Sequence, residues 1–211
     1  MDKVRKPGRP RQDEEDTRGL LIEAAKVCFT KWPYDKVTTR KLADHSGVNA
    51  GLIRYYFVNK EGLYKAMFQD MVQTVTEEIR ELVAQEQVED FEPLFRCHAK
   101  VFFKYPEFPK LMFKELQGEG ICQEYLIENI ASQTFGVFDK ALTQLQDKGK
   151  LKPGINPKLL RLSIISLMVF PTLNFHIAER IDGMTFNENF LDALISHNLN
   201  LLKNGCFNEE D

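Results

Sequence analysis

What the chain has little of excludes most kinds of chemistry. Its four cysteines, Cys28, Cys97, Cys122 and Cys206, stand far apart, and no pair has the spacing of a metal ligand set. Free thiols in a reducing compartment are the simplest assignment. The N-terminus is polar and charged, without the apolar core of a secretory signal, and the expected location is the cytoplasm. The longest uncharged stretch, Leu162 to Ala178, is interrupted by Ser163, Ser166, Pro171, Thr172, Asn174 and His176. It falls short of the ~20 apolar residues of a membrane span, so no membrane partner is expected. No glycine-rich phosphate loop or nucleotide fingerprint occurs. His98 and His176 lack an i,i+4 partner or a nearby ligand cluster, so neither a metal nor a cofactor is expected. A nucleophilic Cys97 or Cys122 would need an oriented base that no motif supplies. Catalysis is therefore not expected.

Charge, by contrast, is unevenly placed. The net charge is −3, but residues 1–60 carry 13 Lys and Arg against 8 Asp and Glu, a net of +5. The remaining residues carry 15 against 23, a net of −8. A basic head on an acidic body suits a protein that touches nucleic acid with one end.

Within that head, Val37 to Lys60 (VTTRKLADHSGVNAGLIRYYFVNK) reads as two short helices joined by a tight turn. Thr38 can cap the first helix through its hydroxyl. Leu42 and Ala43 face inward, and Ala43 is small enough for a second helix to cross closely. Gly47 stands where the chain turns through a backbone region that a Cβ disfavours. Asn49 can cap the second helix, whose Ile53 and Tyr56 return to the core. The order of small residue, turn glycine and buried aliphatic is that of a helix-turn-helix. Asn49, Ala50, Gly51, Arg54 and Tyr55 face outward: small residues for close approach to a groove, with donors for bases or phosphates. Lys60 is placed for a further phosphate.

At these residues the chain resembles a known family. GVNAGLIRYYFVNKEGL is similar to the TetR signature, in which a glycine-valine turn leads to a recognition helix and then to Tyr-x-Tyr/His-Phe-x-Ser/Asn-Lys-Glu-x-Leu. RGLLIEAAKVCFTKWPYDKVTT resembles that family's first helix and loop, and the likeness covers about residues 17 to 64. Arg54 stands where tyrosine is commoner, Asn49 where serine is commoner, and Pro33 where glycine is usual. These departures bear on operator sequence more than on DNA binding.

The rest of the chain reads as helices, eight to ten in all, with no convincing strand. Residues 1–11 (MDKVRKPGRPR) form a basic arm expected to be disordered, whose Arg9 and Arg11 resemble minor-groove contacts. Residues 12–60 form the helix-turn-helix domain. Its first helix, Asp13 to Trp32, presents Leu20, Leu21, Ala24, Ala25, Val27, Cys28 and Phe29 on one face. A linker helix over about 61–85, with Leu63, Met67, Met71, Val75, Ile79 and Leu82 in register, opens a helical body over 61–211. There the periodicity predicts helices over Phe91–Tyr105, a shorter one through Leu111 to Leu116, Cys122–Lys148, Lys158–Ala178 and Phe186–Lys203.

The resemblance implies an all-α homodimer that binds a palindromic double-stranded DNA operator, most simply as a repressor released by a small effector. Thr38, Thr39, Arg40, Tyr56 and Lys60 would hold the DNA backbone. The last two helices would pair across the two-fold axis through Leu162, Ile165, Val169, Leu191, Leu194, Ile195 and Leu199. Fourteen of 16 phenylalanines follow residue 60, which suits a packed core and equally a cavity for a largely apolar effector. His98, Phe102, Phe113, Phe135, Phe138 and Phe170 are the candidates for its wall. Two alternatives remain: a DNA-binding dimer with no effector, and a helical enzyme or carrier.

Overall fold

The computed structural model describes residues 12–208; the expected basic arm, with Arg9 and Arg11, lies outside them, as does the side chain of Val75. Among the described residues every regular element is a helix, apart from one isolated antiparallel bridge between Leu151 and Phe207. The chain divides into two compact units between Met67 and Phe68, within the long helix α4 (Lys60–Ala84).

The first unit packs α1 (Gln12–Lys31), α2 (Thr39–Ser46), α3 (Gly51–Phe57) and the start of α4 around one core. Leu21, Ile22, Ala25, Cys28 and Phe29 of α1 are buried with Leu42, Ala43, Ile53, Phe57 and Leu63. Leu20 and Val27, expected on the same face, point outward; the apolar stripe of α1 is narrower than its composition suggested. Phe57 takes the inner position given to Tyr56, which is only partly buried, because it lies four residues after Ile53 on the same helical face. Phe29, Tyr34 and Tyr64 form an aromatic triangle with centroids 4.6–5.6 Å apart. The single tryptophan, Trp32, lies under the Lys41 ammonium at 3.4 Å from its ring centre, with that of Lys31 at 5.0 Å.

Short-range capping sets the helix ends. Thr38 Oγ1 accepts from Lys41 N at 3.1 Å. Gly47 adopts φ 70°, ψ 13° and its N–H meets the Ala43 carbonyl, the left-handed end that a Cβ-bearing residue resists. Asn49 Oδ1 accepts from Gly51 N at 2.8 Å and so starts α3. At the other end of α3, Val58 has φ 69°, ψ −46°, and Asn59 N donates to Phe57 O at 2.8 Å. This is a γ-turn of the strained hand on a β-branched residue. Asn59 Oδ1 then accepts from Gly62 N, capping α4. A Cβ at Gly62 would lie 2.0 Å from the Phe57 carbonyl oxygen, so only glycine permits this joint.

The second unit contains the rest of α4, α5 (Glu92–Lys104), α6 (Phe108–Lys114), α7 (Gln123–Leu126), α8 (Ser132–Asp147), α9 (Pro157–Leu173), α10 (Phe175–Asp182) and α11 (Glu188–Cys206). Wider π-type turns at Glu115–Glu119 and Ile127–Ala131 follow α6 and α7, so the helix expected from Cys122 to Lys148 contains a bulge. Phe91, Leu94, Phe138, Leu142, Leu145 and Ile164 are among the most buried residues of a core to which α5, α8, α9 and α11 all contribute. Asn156 and Asn187 cap α9 and α11.

The helix expected from Lys158 to Ala178 is two helices bent by 59°. Pro171 lies inside α9 and supplies no N–H to Leu167, and the helix ends two residues later. The buried Asn198 of α11 donates Nδ2 to Leu167 O at 3.1 Å. Among the described residues, no single helix is long and apolar enough to cross a membrane.

Candidate nucleic-acid interface and effector site

Capping at both ends holds α3 so that one face fills the core and the other is open. Ile53 and Phe57 are buried; Asn49, Ala50, Gly51, Arg54 and Tyr55 are exposed, as the sequence led us to expect. Tyr55 and Tyr56 lie edge to face, 4.9 Å apart. Thr38, Thr39 and Arg40 are exposed at the start of α2. Arg40 and Arg54 have no ion pair or hydrogen bond to a described residue, so their donors remain available. Small residues at the start of α3, flanked by free guanidinium groups, form a surface that can enter a groove and contact bases and phosphates.

Lys60 departs from this pattern. Its ammonium donates to Tyr34 O at 3.1 Å and Val37 O at 3.0 Å, and lies 3.8 Å from the Tyr34 ring centre. Two of its three N–H groups therefore tie the turn before α2 to the start of α4. This geometry is that of a clamp, a role the sequence reading did not give Lys60. Sequence reasoning missed this because the two carbonyls are 26 and 23 residues away. It also missed Asn59, although Asn ahead of a helical run is itself a capping signal.

In the body, the six candidate wall residues separate. His98 and Phe102 line a cavity of about 20 Å³ with Phe95, Thr172, Ile195 and Asn198. Phe138 is fully buried and meets the His98 ring edge-on at 5.6 Å, while Phe102 meets it at 6.0 Å. Phe135 lies under the Arg161 guanidinium, 4.4 Å from it. Phe113 and Phe170 are 50% and 65% exposed and form no part of this wall. Their helices turn the opposite face inward. His98 Nδ1–H donates to Leu94 O at 2.7 Å, and desolvation holds the imidazole pKa below its usual value.

The expected pairing face also divides. Leu162 is 51% exposed, and Ile165, Val169 and Leu194 are partly exposed. Leu191, Ile195 and Leu199 are buried within their own protomer, because the i, i+4, i+8 face of α11 is the one packed on the core. Leu159 and Phe170 of α9 and Leu201 of α11 are exposed in addition.

Two other features invite chemistry. A cleft of about 470 Å³ is lined by Glu89, Asp90, Lys150, Lys152, Lys203 and Phe207, among others. Its polar groups are engaged with one another: Lys148 and Lys150 hold the Glu89 carboxyl at about 2, Lys203 pairs with Asp90, and Lys152 donates to Asn204 O. Cys97 donates its thiol to Glu78 at 2.8 Å, and burial, with that carboxylate beside it, pushes the thiol up to about 12. A thiol so held stays protonated and is a poor nucleophile.

Comparison with known proteins places both units. Residues 21–67 match the profile described as bacterial regulatory proteins, tetR family, and residues 88–197 match the tetracyclin repressor-like C-terminal domain. The curated HTH-type transcriptional repressor Rv1474c of Mycobacterium tuberculosis is 34% identical over 50 residues, 24% of this chain. The match spans about a quarter, 27%, of that relative's length. Among solved structures, FadR of Bacillus subtilis in complex with stearoyl-CoA superposes with a TM-score of 0.70 at 21% identity, covering 89% of this chain and 98% of that one. The ketosteroid transcriptional regulator KstR2 of M. tuberculosis gives 0.65 at 18% identity, with 97% and 100% covered. A transcription regulator from Marinobacter aquaeolei gives 0.67 at 15%, with 95% and 100% covered. At such identities the superpositions establish the fold.

Proposed function

The chain belongs to the TetR family of bacterial regulatory proteins, and from that premise we propose that it is a cytoplasmic, homodimeric DNA-binding repressor released by a small effector. The observation that carries this reading is the open face of α3, where Ala50 and Gly51 leave room for a groove and Arg54 has no intramolecular partner among the described residues. In the proposed complex, Arg54, Asn49 and Tyr55 address base edges, while Thr38, Thr39, Arg40 and Tyr56 hold the backbone and Arg9 and Arg11 enter the adjacent minor groove. Lys60 acts behind this surface, as the clamp described above.

Dimerisation is proposed through the outward stripe of α9, Leu159, Leu162, Ser163, Ser166 and Phe170, with Leu194 and Leu201 of α11. The two serines are small enough for close helix approach across a two-fold axis. Pairing places two α3 helices against half-sites ~34–36 Å apart. An effector shifts such a dimer only by its differential affinity for the two states, typically ~1–3 kcal/mol. The long acyl chain of the stearoyl-CoA crystallised with FadR, and the ketosteroid in the name of KstR2, support a largely apolar effector by analogy of fold.

The experiment is fluorescence anisotropy with DNA from upstream of the protein's own gene against a scrambled duplex, at two salt concentrations. Selective binding with a steep salt slope is expected, and Arg54→Ala should weaken it about tenfold or more while sedimentation still shows a dimer. Non-selective binding by wild type to this DNA and to sequences selected from random DNA would refute the regulator reading. The same assay, run against a mixed metabolite library, tests for an effector of any class.

A further inference from the structure

α5, α9 and α11 meet around His98, Thr172 and Asn198, which line the 20 Å³ cavity. It has room for little more than one water. Its remaining wall is apolar, including Phe95, Phe102 and Met168, and no charged residue lines it.

The polar atoms that line this cavity are mostly acceptors. Asn198 is 3% exposed; its Nδ2 is engaged by Leu167 O, and its Oδ1 has no hydrogen-bond partner among the described residues. The bond from His98 Nδ1–H to Leu94 O fixes the tautomer, so Nε2 carries a lone pair, and it too has no such partner. Thr172 Oγ1 has already given its proton to Val169 O, at 2.7 Å. Both acceptors keep some contact with solvent, since neither is among the fully buried polar atoms without a partner; in this apolar crevice water is the only donor they meet. A guest that brings a donor can replace that water.

The wall beside these atoms includes the break in α9. α9 lacks an N–H at Pro171 and bends by 59° just beyond Leu173. Displacing this segment therefore disrupts fewer backbone hydrogen bonds than displacing an unbroken helix.

We propose that this cavity seats the effector, and that the effector is an uncharged, largely apolar molecule whose hydroxyl group donates to His98 Nε2. Asn198 Oδ1 lies on the same wall as a further acceptor. A carboxylate or phosphate is disfavoured, because no cation lines the cavity to balance it. The inference rests on the effector reading above and adds the chemical class of the ligand.

The test uses full-length protein and a series of 4-alkylphenols, with alkyl chains of one to eight carbons, each paired with its methyl ether. Alkanoates of the same lengths provide the charged arm, and affinities are read by calorimetry. At least one phenol should bind wild type about ten times more tightly than its ether and release operator DNA. His98→Phe, which keeps a ring of similar size, should retain ether affinity and reduce that ratio below about threefold. Retained ether affinity also shows that the variant is folded. Equal binding of phenol and ether, an unchanged ratio in His98→Phe, or preference for an alkanoate would overturn the proposed chemistry while leaving an effector at this site. Failure of every compound to bind would overturn the site itself. The effector reading would then stand or fall on the metabolite library, which assumes no ligand class.

Discussion

Asn198 donates its side-chain N–H to the carbonyl of Leu167, the acceptor that Pro171, four residues further along, cannot reach for want of an amide proton. The proline is thus tolerated inside α9 because a buried side chain from α11 replaces the missing donor. That relation can be measured. Asn198→Ala should destabilise the protein by ~1–3 kcal/mol, since it leaves the Leu167 carbonyl without its side-chain donor. In a Pro171→Ala background the same change should cost clearly less, because alanine at that position offers the helical N–H. A double-mutant cycle in urea with no coupling energy would show that the two residues act independently.

Lys60 is expected to act through stability. Lys60→Met should destabilise the first unit by ~1–2 kcal/mol, as two charge-assisted bonds to carbonyls are lost from a partly exposed ammonium. The slope of log affinity for DNA against log salt should stay that of wild type. A slope reduced by about one would return Lys60 to the phosphate contacts.

Val58 is 76% exposed and its side chain makes little of its surroundings, while its backbone holds φ 69°. Val58→Gly should stabilise by about 1 kcal/mol, the strain relieved less the extra freedom of glycine in the unfolded chain. Thermal melts of the two proteins decide this, and a lower melting temperature for the glycine variant would mean that Val58 packs in a way its exposure hides.

His98 should make the body sensitive to mild acid. Its folded pKa lies below the ordinary value of 6.5 because burial disfavours the imidazolium. Well above pH 6.5 the ring is neutral in both states and the pH has no effect through it. As pH falls through 6.5 the unfolded chain takes up a proton that the folded chain resists, so stability declines. The slope from this one group is at most about 1.4 kcal/mol per pH unit. Urea denaturation at about pH 7.5, 6.5 and 5.5 should show the decline in wild type and a smaller one in His98→Phe. Identical declines would assign the effect to other groups.

The readings that held were those in which a residue acts on its immediate neighbours. Thr38, Gly47 and Asn49 each govern a hydrogen bond within four residues, so the turn between α2 and α3 and the open face that follows were legible from the chain. Readings that depended on distant partners went astray. α11 carries apolar residues on more than one face, and periodicity cannot say whether Leu191, Ile195 and Leu199 fill their own core or a partner's. The same ambiguity placed Phe113 and Phe170 in a cavity wall, although both point outward. Pro171 was visible in the sequence, but the bend after it depends on packing against neighbouring helices. Lys60 lies within a family motif that suggested DNA, and nothing in that motif showed that it also binds the carbonyls of a turn far back in the chain.

Trp32, between Lys31 and Lys41, gives the molecule its own optical label. It is the chain's one tryptophan and lies in the first unit, so the second unit has no indole at all. Under selective tryptophan excitation, emission follows the α1–α2 corner alone, with two ammonium groups beside the ring to tune its colour. Circular dichroism, dominated by the many helices of both units, follows everything. One unlabelled sample melted once under both signals can therefore show whether the head and the body lose their structure together or in turn.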